Sequence, residues 1–309
     1  MHRMHGLARL VVATPALTCT AARALAAAVL AGGGVVVCAD TVRANSAGAS
    51  GRAFSFGWGC QGQLGQGDDK NRAAATAIED LEGDEIVQVA AAGHISAFLS
   101  ADGSILTCGT GQHGRLGQGN NASKFSPDVV ELSGHKIVAV ECAERHMAAV
   151  SQDGRLFVWG HGTALGFADM QHRLTPTELV LENPVKSVSC GHHHTAVILA
   201  DGSLYTFGAF DRGASALGHG EKEHQWTPKL VEALEGKSAV QVKCGCDYTL
   251  VLTKDGEVYA FGSDDYGQLG LGGGNRATST STPKLIRSLR TLSNSLESPG
   301  VLSLPQFAS

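Results

Sequence analysis

The glycine-rich pattern G-x-G-x-x-G occurs at residues 57–62 and again at 109–114. In a dinucleotide-binding site this pattern opens a helix, and an acidic residue follows about 20 positions later. Both copies here continue into the string Leu-Gly-Gln-Gly, which does not favour a helix. We therefore interpret both as structural turns. The sequence predicts no bound cofactor, and it contains neither G-x-S-x-G nor H-E-x-x-H, so we expect no catalytic residues.

Histidine and cysteine raise the question of a metal site, because the chain holds 13 His and 8 Cys. Neighbouring residues of a strand point to opposite faces, so the run His192-His193-His194 cannot converge on one ion. His146 and His194 share a repeat position that Ile95 and Tyr248 fill elsewhere, which is typical of packing. Without a zinc-like spacing such as Cys-x-x-Cys, the sequence predicts no metal site.

The charge balance argues against nucleic acid as a partner. The chain has 29 Asp and Glu against 24 Lys and Arg, which gives a formal net charge of −5. Nucleic-acid binding requires a basic face that replaces counterions. We therefore expect protein partners rather than nucleic acid.

A repeat of about 50 residues organises most of the chain. Glycine makes up 40 of the 309 residues, and many copies of it recur at fixed positions. Each unit contains Asp-Gly, and seven residues after the Asp comes a glycine that follows an apolar residue. The Asp residues are Asp102, Asp153, Asp201 and Asp255, and the later glycines are Gly109, Gly160, Gly208 and Gly262. Ser50-Gly51 followed by Phe56-Gly57 makes a fifth copy.

Each copy follows the same local pattern. Two short apolar runs flank Asp-Gly, which predicts a hairpin with a type I′ turn. A Leu-Gly pair then closes a polar loop, and we expect its leucine to point inward; these residues are Leu64, Leu116, Leu165, Leu217 and Leu269. A proline follows and suits the first residue of an outer strand, since it donates no hydrogen bond there; these are Pro127, Pro176, Pro228 and Pro283.

Four short strands in each unit of about 50 residues predict an all-β fold, a β-propeller. The string Cys190-Gly191-His192-His193-His194-Thr195-Ala196, with Asp201-Gly202 and Phe207-Gly208, resembles the repeat of the regulator of chromosome condensation family. The string from Phe261 to Gly270 resembles it too. The resemblance covers residues 52 to about 286 and implies a seven-bladed ring, of which this chain holds about five copies.

The domain plan follows from the limits of the repeat. We expect a targeting segment at 1–39, a linker at 40–51, the propeller at 52–290 and a poorly ordered tail at 291–309. The first copy is expected to lack its leading strands. Three explanations for the short ring stay open: a truncated sequence, an open or smaller propeller, or completion by a partner chain.

Residues 1–39 contain three arginines, no acid and much Ala, Val and Leu. This composition resembles a mitochondrial presequence. Alternatively, the apolar run 24–39 acts as a secretory signal or anchor, or the segment has no targeting meaning and the protein is cytoplasmic or nuclear. The run is short for a membrane span, so we expect none.

Function in a propeller is carried by the loops of its faces. We expect a non-catalytic, protein-binding propeller whose contacts come from loops after the Phe/Trp-Gly element. The alternative, guanine nucleotide exchange on a small GTPase, is implied only by resemblance to the family's founder, an exchange factor for Ran. The absence of a long insertion in any repeat weighs against it. The candidate partner-binding residues are Trp58, His113, Arg115, Phe210, Asp211, Arg212, Asp264, Asp265 and Tyr266.

Overall fold

A computed structural model describes residues 52–132, 134–208, 215–220, 223–272 and 279–289, together with the backbone of three strands within 10–39. The described residues form five antiparallel sheets. The first contains β1 (Leu10–Val11), β2 (Ala26–Val29), β3 (Val35–Ala39), β4 (Arg52–Gly57) and β5 (Arg72–Ala77). The second contains β6 (Ile86–Ala92), β7 (Ile95–Ser100), β8 (Ile105–Gly109) and β9 (Lys124–Val130).

The other three sheets repeat this four-stranded plan. The third contains β10 (Ile137–Cys142), β11 (His146–Ser151), β12 (Leu156–Gly160) and β13 (Arg173–Leu179). The fourth contains β14 (Val185–Cys190), β15 (His194–Leu199), β16 (Leu204–Gly208) and β17 (Gln225–Leu230). The fifth contains β18 (Ala239–Cys244), β19 (Tyr248–Thr253), β20 (Val258–Gly262) and β21 (Thr280–Leu285). Short 3-10 helices occupy Glu79–Leu81, Gln112–Gly114, Gly162–Ala164, Ser215–Leu217 and Glu232–Leu234.

The five sheets are the blades of a propeller, numbered here one to five in chain order. The leading strands of consecutive blades pack on one another, β2 on β6, β6 on β10, β10 on β14 and β14 on β18. Within the described residues, no packing of similar extent joins blade five back to blade one. The predicted fold is thus confirmed, as an incomplete ring relative to seven blades.

The apolar core lies between neighbouring blades. Leu64 from the loop of blade one packs with Phe98 and Cys108 of blade two. Leu116 of blade two packs in the same way with Trp159 of blade three. The five loop leucines are at most 1% exposed, which confirms that they point inward. Blade five is less covered, because β11 and β15 are buried at all six positions, whereas β19 alternates buried with half-buried residues.

The expectation that the first copy lacks its leading strands is wrong. Val35–Ala39 pairs with Arg52–Phe56 of β4, and Ala26–Val29 pairs in turn with Val35–Cys38. The strand Val35–Ala39 thus pairs with the N–H and C=O groups that would otherwise be open at the edge of β4. The propeller therefore begins before residue 52. The predicted linker 40–51 and tail 291–309 lie outside the described residues.

The Asp-Gly hairpins turn differently from the prediction. Gly103 has φ +95° and its N–H bonds the carbonyl of Ser100 at 3.0 Å, but no aspartate of the four hairpins has positive φ. The geometry is a type I turn closed by a left-handed glycine, and the Asp102 carboxylate accepts the Ser104 N–H at 2.9 Å. The aspartate thus caps the turn with its side chain instead of adopting a left-handed backbone.

The prolines also lie elsewhere than predicted. Pro127 and Pro176 are each the fourth residue of their outer strands, not the first. The pairing register shifts next to them, between Thr107 and Gly109 in blade two and between Val158 and Gly160 in blade three. Proline is tolerated there because an edge strand with a bulge leaves its nitrogen without a ladder partner.

Candidate interaction face

One end of every blade carries the loops that contain the predicted site residues. We call this end the loop face. It is formed by the turns between first and second strands and by the longer loops after third strands. The described parts of the turns are 93–94, 143–145, 191–193 and 245–247. Those of the loops are 58–71, 110–123, 161–172, 215–220, 223–224, 263–272 and 279.

Tyr266 is the most exposed aromatic residue described, at 87%. Its loop is held by its own hydrogen bonds. The Tyr266 N–H donates to Gln268 Oε1 at 2.8 Å, and the Gln268 amide donates to Ser263 Oγ at 3.2 Å. The neighbouring Asp265 is exposed as well. The fold therefore presents an aromatic side chain and a carboxylate to solvent on a loop whose backbone is held in place.

Trp58 lines a cleft of about 610 Å³ at the blade-one end of the loop face, together with Asn71 and Arg72. The indole ring meets His94 edge-on, with ring centroids 5.5 Å apart. Asn71 Oδ1 accepts the Gly59 N–H at 3.0 Å and so fixes the loop that carries the indole. Trp58 is half-buried, and it lines this cleft.

Two predicted contact residues are buried and act within the fold. Arg115 is 5% exposed; its Nη1 donates to the Glu144 carbonyl at 2.6 Å and its Nε to the Gln112 carbonyl at 2.9 Å. Burial lowers the pKa of this guanidinium. Asp264 is 2% exposed and accepts the Leu269 N–H at 2.9 Å. Arg115 ties blade two to blade three, and Asp264 anchors the Tyr266 loop.

Three other predicted contact residues, Phe210, Asp211 and Arg212, lie outside the described residues.

His113 lies in a cluster that the sequence does not predict. One nitrogen from each of His113, His161 and His172 lies within 4.8 Å of the others. His113 belongs to the loop of blade two, and the other two belong to that of blade three. Burial and the neighbouring His172 lower the pKa of His113, while burial and both neighbours lower that of His161 to about 4. The sequence holds one indication of this cluster, because His113 and His161 occur in equivalent loops of adjacent repeats.

A second electrostatic contact ties blade three to blade four. His192 Nε2 lies 2.6 Å from Glu144 Oε2, and the His192 N–H donates to the Cys246 carbonyl at 3.1 Å. The hydrogen bond with His192 lowers the pKa of Glu144 to about 2. The run 192–194 accordingly divides its roles, since His193 and His194 are buried and His192 pairs with a carboxylate.

The shared histidine position is a packing site, as predicted. His146 and His194 are 0% and 2% exposed, and burial lowers the pKa of each to about 3. Cys142 and Cys190 are buried too, and burial raises the pKa of both thiols. The six cysteines whose side chains the structure describes are unpaired thiols. Among the described residues, no helix has the length and apolar character that crossing a membrane requires.

The family model described as "Regulator of chromosome condensation (RCC1) repeat" matches residues 50–99, 102–150, 153–198, 201–252 and 255–295. Among curated proteins, the chain is 36% identical over 246 residues to human E3 ubiquitin-protein ligase HERC2, which covers 77% of the chain and 5% of that protein. It is 34% identical over 224 residues to the ultraviolet-B receptor UVR8 of Arabidopsis thaliana, covering 71% and 50%. It is 32% identical over 245 residues to the regulator of chromosome condensation of Xenopus laevis, covering 71% and 56%.

Solved structures share the fold. Human WBSCR16 matches with a TM-score of 0.70 at 24% identity, over 82% of this chain and 64% of that one. Yeast RCC1 (Prp20), solved with Kap60, matches with a TM-score of 0.64 at 21% identity, over 85% and 59%. The chain spans about half the length of UVR8 and of the Xenopus protein, and a small part of HERC2.

Proposed function

Because the chain belongs to the regulator of chromosome condensation (RCC1) repeat family, we propose that it is a non-catalytic propeller that binds a protein partner through its loop face. The observation that carries this proposal is the presentation of Tyr266, 87% exposed on a loop fixed by internal hydrogen bonds. Large aromatic side chains are common anchors of protein interfaces. A loop whose backbone is already ordered loses little backbone conformational entropy on binding.

The chemistry around Tyr266 defines the kind of partner that fits. Asp265 adds an exposed carboxylate beside the ring, and the chain as a whole has a net charge of −5. A partner surface with an apolar pocket flanked by basic side chains would complement both groups. Nucleic acid does not complement this surface, because its phosphates are negatively charged as well.

Substitution of the anchor tests the proposal. Tyr266→Ala removes the ring, and Val180→Ala serves as the control because Val180 is 81% exposed at the opposite end of blade three. Tagged wild type and both variants are expressed at equal levels, crosslinked in cells and analysed by quantitative mass spectrometry. We expect a set of partners that Tyr266→Ala loses and Val180→Ala keeps. Identical partner sets for all three proteins would contradict the proposal.

The alternative function is guanine nucleotide exchange on a small GTPase, which the family resemblance implies. Its test is the release of fluorescent GDP from a panel of small GTPases at increasing concentrations of the purified chain. Acceleration that saturates with the wild type would establish the alternative. Nucleotide release at the intrinsic rate for every GTPase would leave the non-catalytic function as the better account.

For residues 1–39 the proposal includes mitochondrial targeting, with a signal or anchor at 24–39 as the alternative. Because β2 and β3 pair with blade one, deleting the segment would damage the fold as well as the signal. Replacing Arg3, Arg9 and Arg23 by glutamine removes the positive charges and leaves both strands. A fluorescent fusion of the wild type, but not of this triple variant, is expected in mitochondria. A diffuse or secretory distribution of the wild type would contradict mitochondrial targeting.

A further inference from the structure

The three histidines at the seam between blades two and three have the geometry of metal ligands. His113 Nδ1 and His172 Nε2 lie 3.2 Å apart, and one nitrogen from each ring lies within 4.8 Å of the others. Two nitrogens bound to one zinc ion at about 2.05 Å, with a tetrahedral angle between them, are about 3.3 Å apart. One edge of a tetrahedral site is therefore present, and the third nitrogen lies at most about 1.5 Å beyond the length of such an edge.

From this geometry we propose that His113, His161 and His172 bind one late first-row transition-metal ion of the Zn²⁺ class, with water as the fourth ligand. Imidazole nitrogen suits Zn²⁺, Cu²⁺ and Ni²⁺, whereas Mg²⁺ and Ca²⁺ prefer oxygen ligands. Three protein ligands and an open position are the pattern of a zinc site that retains a bound water.

The backbone places these rings by local constraints that are independent of one another. His113 has φ +61°, a left-handed conformation that is uncommon for a residue other than glycine. The loop that carries His172 is closed by Arg173, whose Nη2 lies 2.8 Å from the Asp169 carboxylate. The two loops also meet directly, since the Gly119 N–H donates to the Leu174 carbonyl at 2.8 Å.

The hydrogen bonds of the metal-free cluster determine its protonation pattern. The Gly162 N–H donates to His172 Nδ1 at 3.1 Å, so neutral His172 carries its proton on Nε2 and donates it to His113 Nδ1. An ion at His172 Nε2 takes the place of that proton, which shifts to Nδ1, and the bond from Gly162 is lost. His161 needs no such change, because its Nδ1 lies 2.9 Å from Thr163 Oγ1 and its Nε2 is left as the ligand. Such a partner fixes the orientation of a ligating imidazole.

Two effects weaken the binding of a metal ion. The first is the loss of the hydrogen bond from Gly162 to His172. The second is electrostatic repulsion of the ion by the positive charges of Arg115 and Arg145, which act on His113. We therefore expect an ion that exchanges with solution rather than a permanently bound one. A bound ion would join the loops of blades two and three and stabilise the folded protein by an amount that grows with the logarithm of the free ion concentration above its Kd.

Calorimetric titration of the purified full chain with Zn²⁺ at neutral pH tests the site. We expect one equivalent to bind, and His172→Gln and His161→Gln each to weaken it by more than about tenfold. His135→Gln is the matched control, since His135 lies in the connector at the opposite end of blade three, beside Phe157. Equal affinity in wild type, His172→Gln and His161→Gln would overturn the proposal, because Zn²⁺ would then bind elsewhere.

A second measurement avoids dependence on variants that fail to fold. Co²⁺ added to the wild type should produce the visible absorption of a four-coordinate site at one equivalent. In parallel, long-range nitrogen–proton NMR spectra should show the His172 proton moving from Nε2 to Nδ1 when Zn²⁺ is added. An octahedral Co²⁺ spectrum with an unchanged His172 tautomer would overturn the proposal.

Discussion

His146 Nε2 lies 2.9 Å from Thr195 Oγ1, across the boundary between blades three and four. The same hydroxyl donates to the Ala164 carbonyl at 2.9 Å, so it must accept from the imidazole, and His146 carries its proton on Nε2. The next boundary repeats the arrangement with His194, Thr249 and Ala216, at 2.9 Å and 2.8 Å. At each of these two boundaries, a threonine hydroxyl of the following blade thus bonds both a strand and a loop of the preceding blade.

Replacing Thr195 by valine should destabilise the protein by about 1–3 kcal/mol, because both a buried imidazole N–H and a buried carbonyl lose their partner. Thr175→Val is the matched control, since Thr175 is exposed on an outer strand. Urea denaturation followed by circular dichroism measures the difference in unfolding free energy. Equal midpoints for the two variants would show that the hydroxyl contributes nothing across the boundary.

The buried histidines should make the protein sensitive to mild acid. Burial lowers the pKa of His146 and His194 to about 3, whereas an unfolded histidine titrates near 6.5. The unfolded chain therefore binds more protons between these values, and stability is lost as the pH falls from about 6.5 towards 3. The slope is about 1.4 kcal/mol per pH unit for each histidine in the middle of that range.

Substitution of His146 by isoleucine, the residue at the equivalent position 95, isolates this effect. The variant should lose the contribution of one histidine, about 1.4 kcal/mol per pH unit in the middle of the range, when the unfolding free energy is measured between pH 7 and pH 4. Its absolute stability at pH 7 does not enter the comparison. A slope equal to that of the wild type would mean that the pKa of His146 is the same in the folded and the unfolded protein.

Much of the fold follows from the sequence because it rests on contacts that every repeat makes in the same way. The loop leucines and the shared position of His146 were predicted correctly from that repetition. The turn at Asp102-Gly103 was not, because the aspartate side chain stabilises a type I turn that backbone preference alone does not reveal.

The loop face was harder to predict because its contacts join different repeats. Arg115 and Asp264 have the charge of typical surface residues. Arg115 nevertheless donates to the Glu144 carbonyl, 29 positions away, and Asp264 accepts a backbone N–H of its own loop. The histidine cluster combines segments separated by 59 positions, and the spacing of its members does not follow any metal-binding motif. Such sites depend on how blades are placed side by side, which only the structure supplies.

The ion pair between Lys243 and Glu141 connects two blades that are not adjacent, and we expect it to stabilise the fold. Lys243 Nζ lies 2.8 Å from Glu141 Oε1, so the pair joins the leading strand of blade five to that of blade three. Burial raises the pKa of Glu141 although Lys243 acts against it. Glu141→Gln should destabilise by about 2 kcal/mol, since an ammonium group is left poorly paired.

A double-mutant cycle measures this coupling. Glu141→Gln and Lys243→Met are each compared with the wild type and with the double variant in urea denaturation. We expect the double variant to be more stable than the sum of the two single effects implies. Additive effects would indicate that the two side chains do not interact in solution.

Gly117 should be intolerant of any side chain for reasons of space as well as backbone conformation. It has φ +76°, and a Cβ there would lie 2.8 Å from Trp159 Nε1, which donates to the Arg115 carbonyl at 3.1 Å. Gly134 provides the control, because it has φ +79° and a Cβ there would meet nothing within 4 Å. Gly134→Ala therefore measures the backbone strain alone, about 1–2 kcal/mol. Gly117→Ala should cost at least about 1 kcal/mol more, because it also breaks the Trp159 hydrogen bond. Thermal unfolding monitored by tryptophan fluorescence compares the two, and equal losses of stability would contradict this packing at the boundary of blades two and three.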